Sequence, residues 1–118
     1  RAIPSVTTIL EHHSNLLTWR ALRERGVTVR TICLTPCLTL DMDAFAYAID
    51  DTVRLVAVTQ ASNVTGTIVP VKEISALFHR YGSLLSVDTA LSIPRMPVDV
   101  EDLGVDFLSF SGNKICLC

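Results

Sequence analysis

The segment "VRLVAVT", residues 53–59, indicates the fold class, because it is almost continuously apolar and rich in β-branched side chains. The runs "LLSVD" at 84–88 and "VDFLSF" at 105–110 have the same character. A strand with one face in water alternates apolar and polar residues, whereas a strand buried on both faces of a parallel sheet does not. The three runs therefore predict strands of a parallel sheet that is covered on both faces.

Helix-like stretches lie between the strand-like ones. Gly26 and Gly82 mark the ends of two of them, because glycine readily takes the left-handed conformation that closes a helix. The alternation predicts an α/β fold with three α/β/α layers around a mostly parallel sheet, and no domain boundary within residues 1–118. In chain order, the predicted strands are 6–10, 28–34, 53–59, 84–88 and 105–110, and the predicted helices are 15–25, 41–50 and 70–81.

The composition excludes several classes of function. The chain has 118 residues, 49% of them hydrophobic, and a net charge of −2, which gives no electrostatic basis for binding nucleic acid. No apolar run approaches the roughly 20 residues that a membrane-spanning helix needs, so a cytoplasmic protein is expected. A chain that is so short and so apolar cannot easily cover its own apolar residues. This predicts that it self-associates or is part of a larger molecule.

The four cysteines, at positions 33, 37, 116 and 118, do not form a known motif. Their spacings, C-x3-C and C-x-C, match neither a zinc ribbon nor a CxxC pair. A free cysteine usually behaves as a small apolar residue. The sequence therefore predicts four small core residues and no metal site.

Polar side chains follow the predicted strand ends, which are expected at Leu10, Thr59, Asp88 and Phe110. Ligands of open parallel sheets bind beyond the carboxyl ends of the strands. Each polar residue alone has an ordinary explanation, such as a cap for Asp88. Together they supply an imidazole, an amide, a carboxylate and an amine at one predicted edge. They are Glu11, His12 and His13, then Ser62, Asn63 and Gly66, then Asp88, and finally Ser111, Gly112, Asn113 and Lys114.

Four segments together resemble a known family: "LEHHSNLLTWR", "ASNVTGTIVPVKEI", "LLSVDTALSIPRMPVDV" and "DFLSFSGNK". They are similar, in order and spacing, to class V aminotransferases, and in particular to cysteine desulfurases and selenocysteine lyases. The resemblance implies part of the large domain of a fold-type I enzyme that depends on pyridoxal 5′-phosphate (PLP). It also implies cysteine or selenocysteine as substrate, a homodimer in the full-length protein, and a sulfur-acceptor protein as partner.

The resemblance assigns the three central roles to Lys114, Asp88 and His12. Lys114 matches the lysine that forms a Schiff base with the cofactor, and its place after a strand and a Ser-Gly turn predicts partial burial. Asp88 matches the aspartate that keeps the pyridine nitrogen protonated. His12 matches the histidine that stacks on the ring and moves protons at the substrate.

Further positions match the family or depart from it. Asn63 matches an amide near the ring's 3-oxygen, and Ser111 matches a phosphate-binding hydroxyl. Asn113 stands where a histidine that contacts phosphate is usual. Thr89 replaces a glycine and adds bulk beside Asp88, and Leu91 replaces a glutamine that hydrogen-bonds the ring oxygen.

Two other interpretations remain open. One is a truncated, non-catalytic α/β module that pairs with a partner. The other is a different class V PLP enzyme, such as an epimerase, lyase or aminotransferase. Cys116 and Cys118 match no catalytic position of the family.

Overall fold

A computed structural model describes residues 3–116, and the side chains of residues 3–115. Strands and helices alternate along the chain, as the apolar pattern predicts. In order they are β1 (Ile3–Thr8), α1 (His13–Ala21) with a 3₁₀ turn (Leu22–Arg25), β2 (Val27–Ile32), α2 (Met42–Ala48), β3 (Leu55–Thr59), α3 (Val71–His79), β4 (Leu84–Asp88), α4 (Val100–Leu103), β5 (Phe107–Ser109) and α5 (Gly112–Cys116).

The five strands form one sheet in the order β2-β1-β3-β4-β5, and every neighbouring pair is parallel. Val6 on β1 pairs with Val56 on β3, which in turn pairs with Leu85 on β4. Because crossovers between parallel strands are right-handed, α1 lies on one face of the sheet and α2 and α3 on the other. The predicted three-layer α/β fold is confirmed.

The centre of the core lies between the sheet and the α2–α3 layer. The Phe45 and Phe78 rings meet edge to face, with centroids 5.7 Å apart. Both side chains are fully buried, as are Val56 and Leu85 on the sheet. Burying one such side chain contributes roughly 1.5–3 kcal/mol, so this layer anchors the strands that carry the site.

Two element boundaries differ from the predicted ones around the first connection. β1 ends at Thr8 instead of Leu10, because the Thr8 hydroxyl accepts the Leu10 N–H and turns the chain. α1 begins at His13, two residues earlier than predicted, because the His12 side chain caps it. The apolar pattern could not show either contact, since both are made by polar side chains.

The prediction that the cysteines are core residues is wrong for the two that the structure describes. Cys33 and Cys37 are exposed. Cys33 directly follows β2, and Cys37 lies in a surface turn closed by pairing of Leu34 with Leu40. The side chain of Cys116 and residue Cys118 lie outside the described part of the chain.

Several large apolar side chains remain on the surface, among them Phe107 and Phe110 beside the edge strand β5, each more than half exposed. The predicted self-association stays a prediction. None of the helices within residues 3–116 has the length and hydrophobicity to cross a membrane.

A hydrogen-bonded link joins α3 to the amino end of the sheet. Asp106 Oδ2 accepts from the Leu85 N–H at 2.7 Å and from His79 Nε2 at 2.9 Å. The Ser75 hydroxyl donates to the Gly104 carbonyl at 2.8 Å. Partial burial acts to raise the pKa of Asp106, but the bonds from His79 and Leu85 outweigh it and hold the pKa below 3.8. Ionised Asp106 therefore stabilises the fold.

The substitution Asp106→Asn should lower the free energy of unfolding at pH 7 by about 1–2 kcal/mol, because hydrogen bonds to a charged acceptor are the stronger ones. A depressed carboxyl pKa contributes stability above pH 3.8, and this contribution is lost as the pH falls through the lowered value. The difference between wild type and variant should therefore shrink at pH 3. Urea unfolding at both pH values measures it.

The control is Asp102→Asn, which removes an exposed ion pair with Lys72 (2.5 Å). Exposed pairs contribute about 0–1 kcal/mol. Equal losses in the two variants would contradict a stabilising link through Asp106.

Candidate active site

The carboxyl ends of all five strands meet at one edge, because the sheet is parallel throughout. Thr59 at the end of β3 pairs with Asp88 at the end of β4, which pairs with Ser109 at the end of β5. In the sheet, β2 lies on one side of β1 and β3 lies on the other. The connections from β1 to β2 and from β2 to β3 therefore run in opposite directions across the sheet. This reversal makes β1 and β3 the switch point, where such sheets open a crevice for ligands.

Hydrogen bonds tie these strand ends to one another. The Gln60 N–H donates to the Asp88 carbonyl at 3.0 Å. The Thr89 N–H and hydroxyl both donate to the Ser109 carbonyl, at 2.8 and 2.9 Å. Glu11, from the loop after β1, accepts the Thr59 N–H at 2.8 Å. The edge is thus a fixed row that runs from β1 to β5.

A cavity of about 220 Å³ opens above this row. Five of the six predicted site residues line it. Asn113 lines an adjoining cavity of about 550 Å³, which shares Leu91 and Lys114 with the first. The roles of all six stay predictions. The residues around the first cavity are His12, Ser14, Thr59, Ala61, Asn63, Asp88, Ala90, Leu91, Ser111 and Lys114.

Asp88 lines the cavity, and one of its two carboxylate oxygens is used within the fold. Its Oδ1 accepts the Ala90 N–H at 2.9 Å, which is the capping role that a single acid at a strand end suggests. Within residues 3–115 no side chain or N–H donates to Oδ2. A carboxylate is acceptor-only and has room for several donors, so Oδ2 can receive a further N–H from a ligand.

His12 is fixed in one tautomer by the helix that it caps. Its Nδ1 lies 3.2 Å from the Ser14 N–H, and its carbonyl accepts from the Asn15 and Leu16 N–H groups at 2.9 Å each. A backbone N–H can only donate, so Nδ1 accepts and the ring proton is assigned to Nε2. The exposed ring therefore presents an N–H at its outer edge.

Lys114 lines the cavity but is exposed, so the prediction of partial burial is wrong. It lies on α5, a single turn that follows the edge strand β5, and residues 112–115 are all exposed. The Lys114 N–H donates to the Ser111 carbonyl at 3.1 Å, and this bond starts the turn. The Ser111 hydroxyl bonds the Asn113 side chain.

A tight turn places Asn63 at the rim of the cavity. The Ser62 hydroxyl accepts from the Val64 and Thr65 N–H groups, both at 3.2 Å. Gly66 closes the turn by donating its N–H to the Ser62 carbonyl at 3.1 Å. Its φ is +70°, which residues with a side chain rarely adopt. Asn63 itself is exposed, so its amide is accessible.

Thr89 and Leu91 behave differently although both depart from the family pattern. Thr89 is fully buried, and its hydroxyl is turned towards Ser109, so its bulk lies outside the cavity. Leu91 lines the cavity and presents an apolar wall there.

Glu11 is the residue whose importance the sequence did not reveal. It is only 7% exposed and accepts from Thr8, Thr59 and Asn15. Burial, with a smaller contribution from the charge of Asp88, raises its pKa to about 7 against these three hydrogen bonds. The sequence did contain a signal for this role, because an acidic residue directly after a buried strand needs hydrogen-bond partners.

Comparisons with known proteins identify the family of the chain. The family model for class-V aminotransferases matches residues 4–117, and the chain belongs to that family. It is 43% identical over 112 residues to a cysteine desulfurase of Haloferax volcanii, and 48% identical over 105 residues to a probable cysteine desulfurase of Methanothermobacter thermautotrophicus. These alignments cover 94% and 89% of the chain but 26% of each relative, so the chain spans about a quarter of their length.

A solved structure shows the same fold. The apo cysteine desulfurase of Thermococcus onnurineus NA1 superposes with a TM-score of 0.90 at 37% identity. The match covers 98% of this chain and 29% of that one. The superposition therefore takes in nearly the whole of this chain.

Enzymes of this family depend on PLP. The side chains around the cavity have the chemistry that this cofactor requires. Asp88 Oδ2 is an acceptor for a protonated ring nitrogen, and Lys114 is an amine for the aldehyde. His12 is a flat ring, and Ser111 is a hydroxyl for phosphate. The described residues fit the group.

The substitution Thr89→Gly introduces the residue usual in the family and should lower the free energy of unfolding by about 1–2 kcal/mol. It removes a buried hydroxyl bond, worth about 1 kcal/mol, and adds the backbone freedom of glycine, about 0.5–1 kcal/mol. Thr89→Ser keeps the hydroxyl and should lose less than Thr89→Gly. Denaturant unfolding of both variants checks this, and equal losses would show that the bond to Ser109 contributes nothing.

Glu11 should make stability fall as the pH rises. Its pKa is about 7 in the folded chain and 4.5 as a free group, so between these values the folded state holds a proton that the unfolded state releases. Its contribution is therefore greatest at acid pH and declines by at most about 1.4 kcal/mol per pH unit across that window. Glu11→Gln should remove this component from the unfolding free energy measured from pH 5 to 8. Glu24→Gln, at an exposed position, should keep the wild-type slope.

Proposed function

We propose that residues 1–118 form part of the PLP-binding large domain of a cysteine desulfurase, which removes sulfur from cysteine. One observation carries the proposal: Asp88 and Lys114, distant in sequence, line the same cavity at the carboxyl edge of the sheet. The identity to proteins named cysteine desulfurase supports the substrate.

Bound PLP supplies an aldehyde that condenses with amines and a protonated ring that withdraws electrons from the bonds at the substrate's α-carbon. Asp88 Oδ2 would accept the ring N–H, and its negative charge would keep that nitrogen protonated. Lys114 would hold the cofactor through its amine, and the same amine would carry protons at the substrate's α-carbon.

The remaining side chains would orient the ring. His12 would stack on it, Asn63 would donate from the rim to the ring's 3-oxygen, and Ser111 would donate to the phosphate. Asn113, beside Lys114 in the adjoining cavity, would offer its amide to the phosphate where the family usually has a histidine. Leu91 can offer the 3-oxygen no hydrogen bond.

The wider setting follows the same family pattern. We infer a cytoplasmic homodimer of the complete protein, with selenocysteine as a second substrate and a protein acceptor for the sulfur. The exposed apolar side chains around β5 suit a molecule in which further protein covers this edge.

The decisive experiment is to add PLP to the full chain, reduce with borohydride and map the labelled lysine by mass spectrometry. The chain has two lysines, which makes the comparison direct. Label is expected on Lys114 and not on Lys72, because Lys72 lies outside the cavity and pairs with Asp102. Asp88→Ala should reduce the Lys114 label strongly, since the ring loses its ionic partner.

Asp99→Ala is the matched control, because it removes a carboxylate that caps α4 away from the cavity. It should leave the Lys114 label unchanged. Equal label on both lysines would indicate nonspecific aldehyde chemistry, and the non-catalytic module would then be the better interpretation. Label on Lys114 without sulfur release from cysteine would favour another class V reaction.

A further inference from the structure

Glu11 is the one charged residue among residues 3–115 that is buried, and it connects three elements. Its Oε1 accepts the Thr8 hydroxyl, at the end of β1, and the Thr59 N–H, at the end of β3, both at 2.8 Å. Its Oε2 accepts the Asn15 amide, on α1, at 2.5 Å. One side chain therefore joins the two strands of the switch point to the helix between β1 and β2.

The bond between Glu11 and Asn15 has a fixed direction. The Trp19 indole N–H donates to Asn15 Oδ1 at 2.8 Å, so the amide N–H₂ must face Glu11. An indole can only donate, and turning the amide over would set two donors against each other. The helix therefore presents a donor, and residue 11 must present an acceptor.

His12 has no comparable tie to the sheet among the contacts of residues 3–115. Its hydrogen bonds run to Ser14, Asn15 and Leu16, all on α1, so they move with that helix. Asp88, in contrast, is fixed on β4. Something must hold α1 in register with the strand ends for the two side chains to share a cavity, and the packing of one buried residue, Leu16, is non-directional.

We propose that Glu11 is a positioning residue for His12: by tying α1 to the ends of β1 and β3, it sets where the His12 ring lies relative to Asp88. The consequence for the cofactor rests on the proposed function, but the tie itself does not. The titratable group that acts on Glu11 from a neighbouring strand is Asp88. The Thr8 hydroxyl can accept as well as donate, so the tie persists when Glu11 is protonated.

Two isosteric variants of the full chain test the proposal. Glu11→Gln keeps an oxygen for Thr8 and Thr59 but sets its N–H₂ against the Asn15 N–H₂, so the tie to the helix breaks. Adding Asn15→Asp to it reverses the donor and the acceptor. The amide at position 11 then donates to the carboxylate at position 15, whose other oxygen still accepts from Trp19. Charge and shape are conserved, and the tie returns.

The readouts report on His12 and not on stability. Nuclear Overhauser contacts from the His12 ring to the residues that line the cavity, assigned with His12→Ala, locate the ring without cofactor. Visible circular dichroism of bound PLP reports the position of the His12 ring relative to the ring of the cofactor. Glu11→Gln should weaken these contacts and remove most of the dichroism, and the double variant should restore both. Glu24→Gln, the charge control, should change neither.

Unchanged contacts in Glu11→Gln would overturn the proposal, and so would contacts that are lost but not restored in the double variant. The two proposals fail separately. If PLP labels both lysines equally, the proposed function fails, while the contacts of His12 without cofactor still decide the role of Glu11. Glu11→Ala adds a larger change, but the isosteric pair decides the question even if that variant does not fold.

Discussion

Backbone N–H and C=O groups need partners wherever water is excluded, and in a parallel sheet the strand ends are where the ladder stops. In this chain the backbone groups at the carboxyl ends of the strands are hydrogen-bonded to residues of the same edge. The Asp88 carbonyl accepts from Gln60, the Ser109 carbonyl accepts from Thr89, and the Thr59 N–H finds the carboxylate of Glu11. Because the backbone is satisfied in this way, the side chains at the same edge can face the cavity.

The tie at Glu11 carries a cost that the other ties do not. A carboxylate at a 7% exposed position loses most of its hydration, and burial raises its pKa because three hydrogen bonds do not fully replace water. Neutral donors and acceptors would have been cheaper. The acid is explained if its geometry matters, since two oxygens can join three elements at once. Functional sites commonly hold groups whose local energetics are unfavourable.

The departures from the family pattern divide into structural and chemical ones. Thr89 takes a structural part, because its hydroxyl strengthens the connection between β4 and β5 and leaves the cavity free. Leu91 lines the cavity with an apolar side chain, so it is the departure that bears on the proposed chemistry. Both substitutions look equally disruptive in the sequence. Only the direction of each side chain separates them.

The apolar runs at 53–59 and 84–88 determined the parallel sheet by themselves, because a strand that is buried on both faces has a nearly continuous apolar sequence. The order of polar residues after the strands likewise determined which side chains would meet, since parallel strands share a carboxyl edge. Tertiary structure decided what depends on side-chain direction. It ended β1 at Thr8, exposed Lys114, turned Cys33 and Cys37 to the surface and buried Glu11 between two strands and a helix. The burial of Glu11 rests on its contact with Thr59, which lies far away in the chain, and no local pattern encodes such a contact. The end of β1 rests on the direction of the Thr8 hydroxyl, which the apolar pattern does not show.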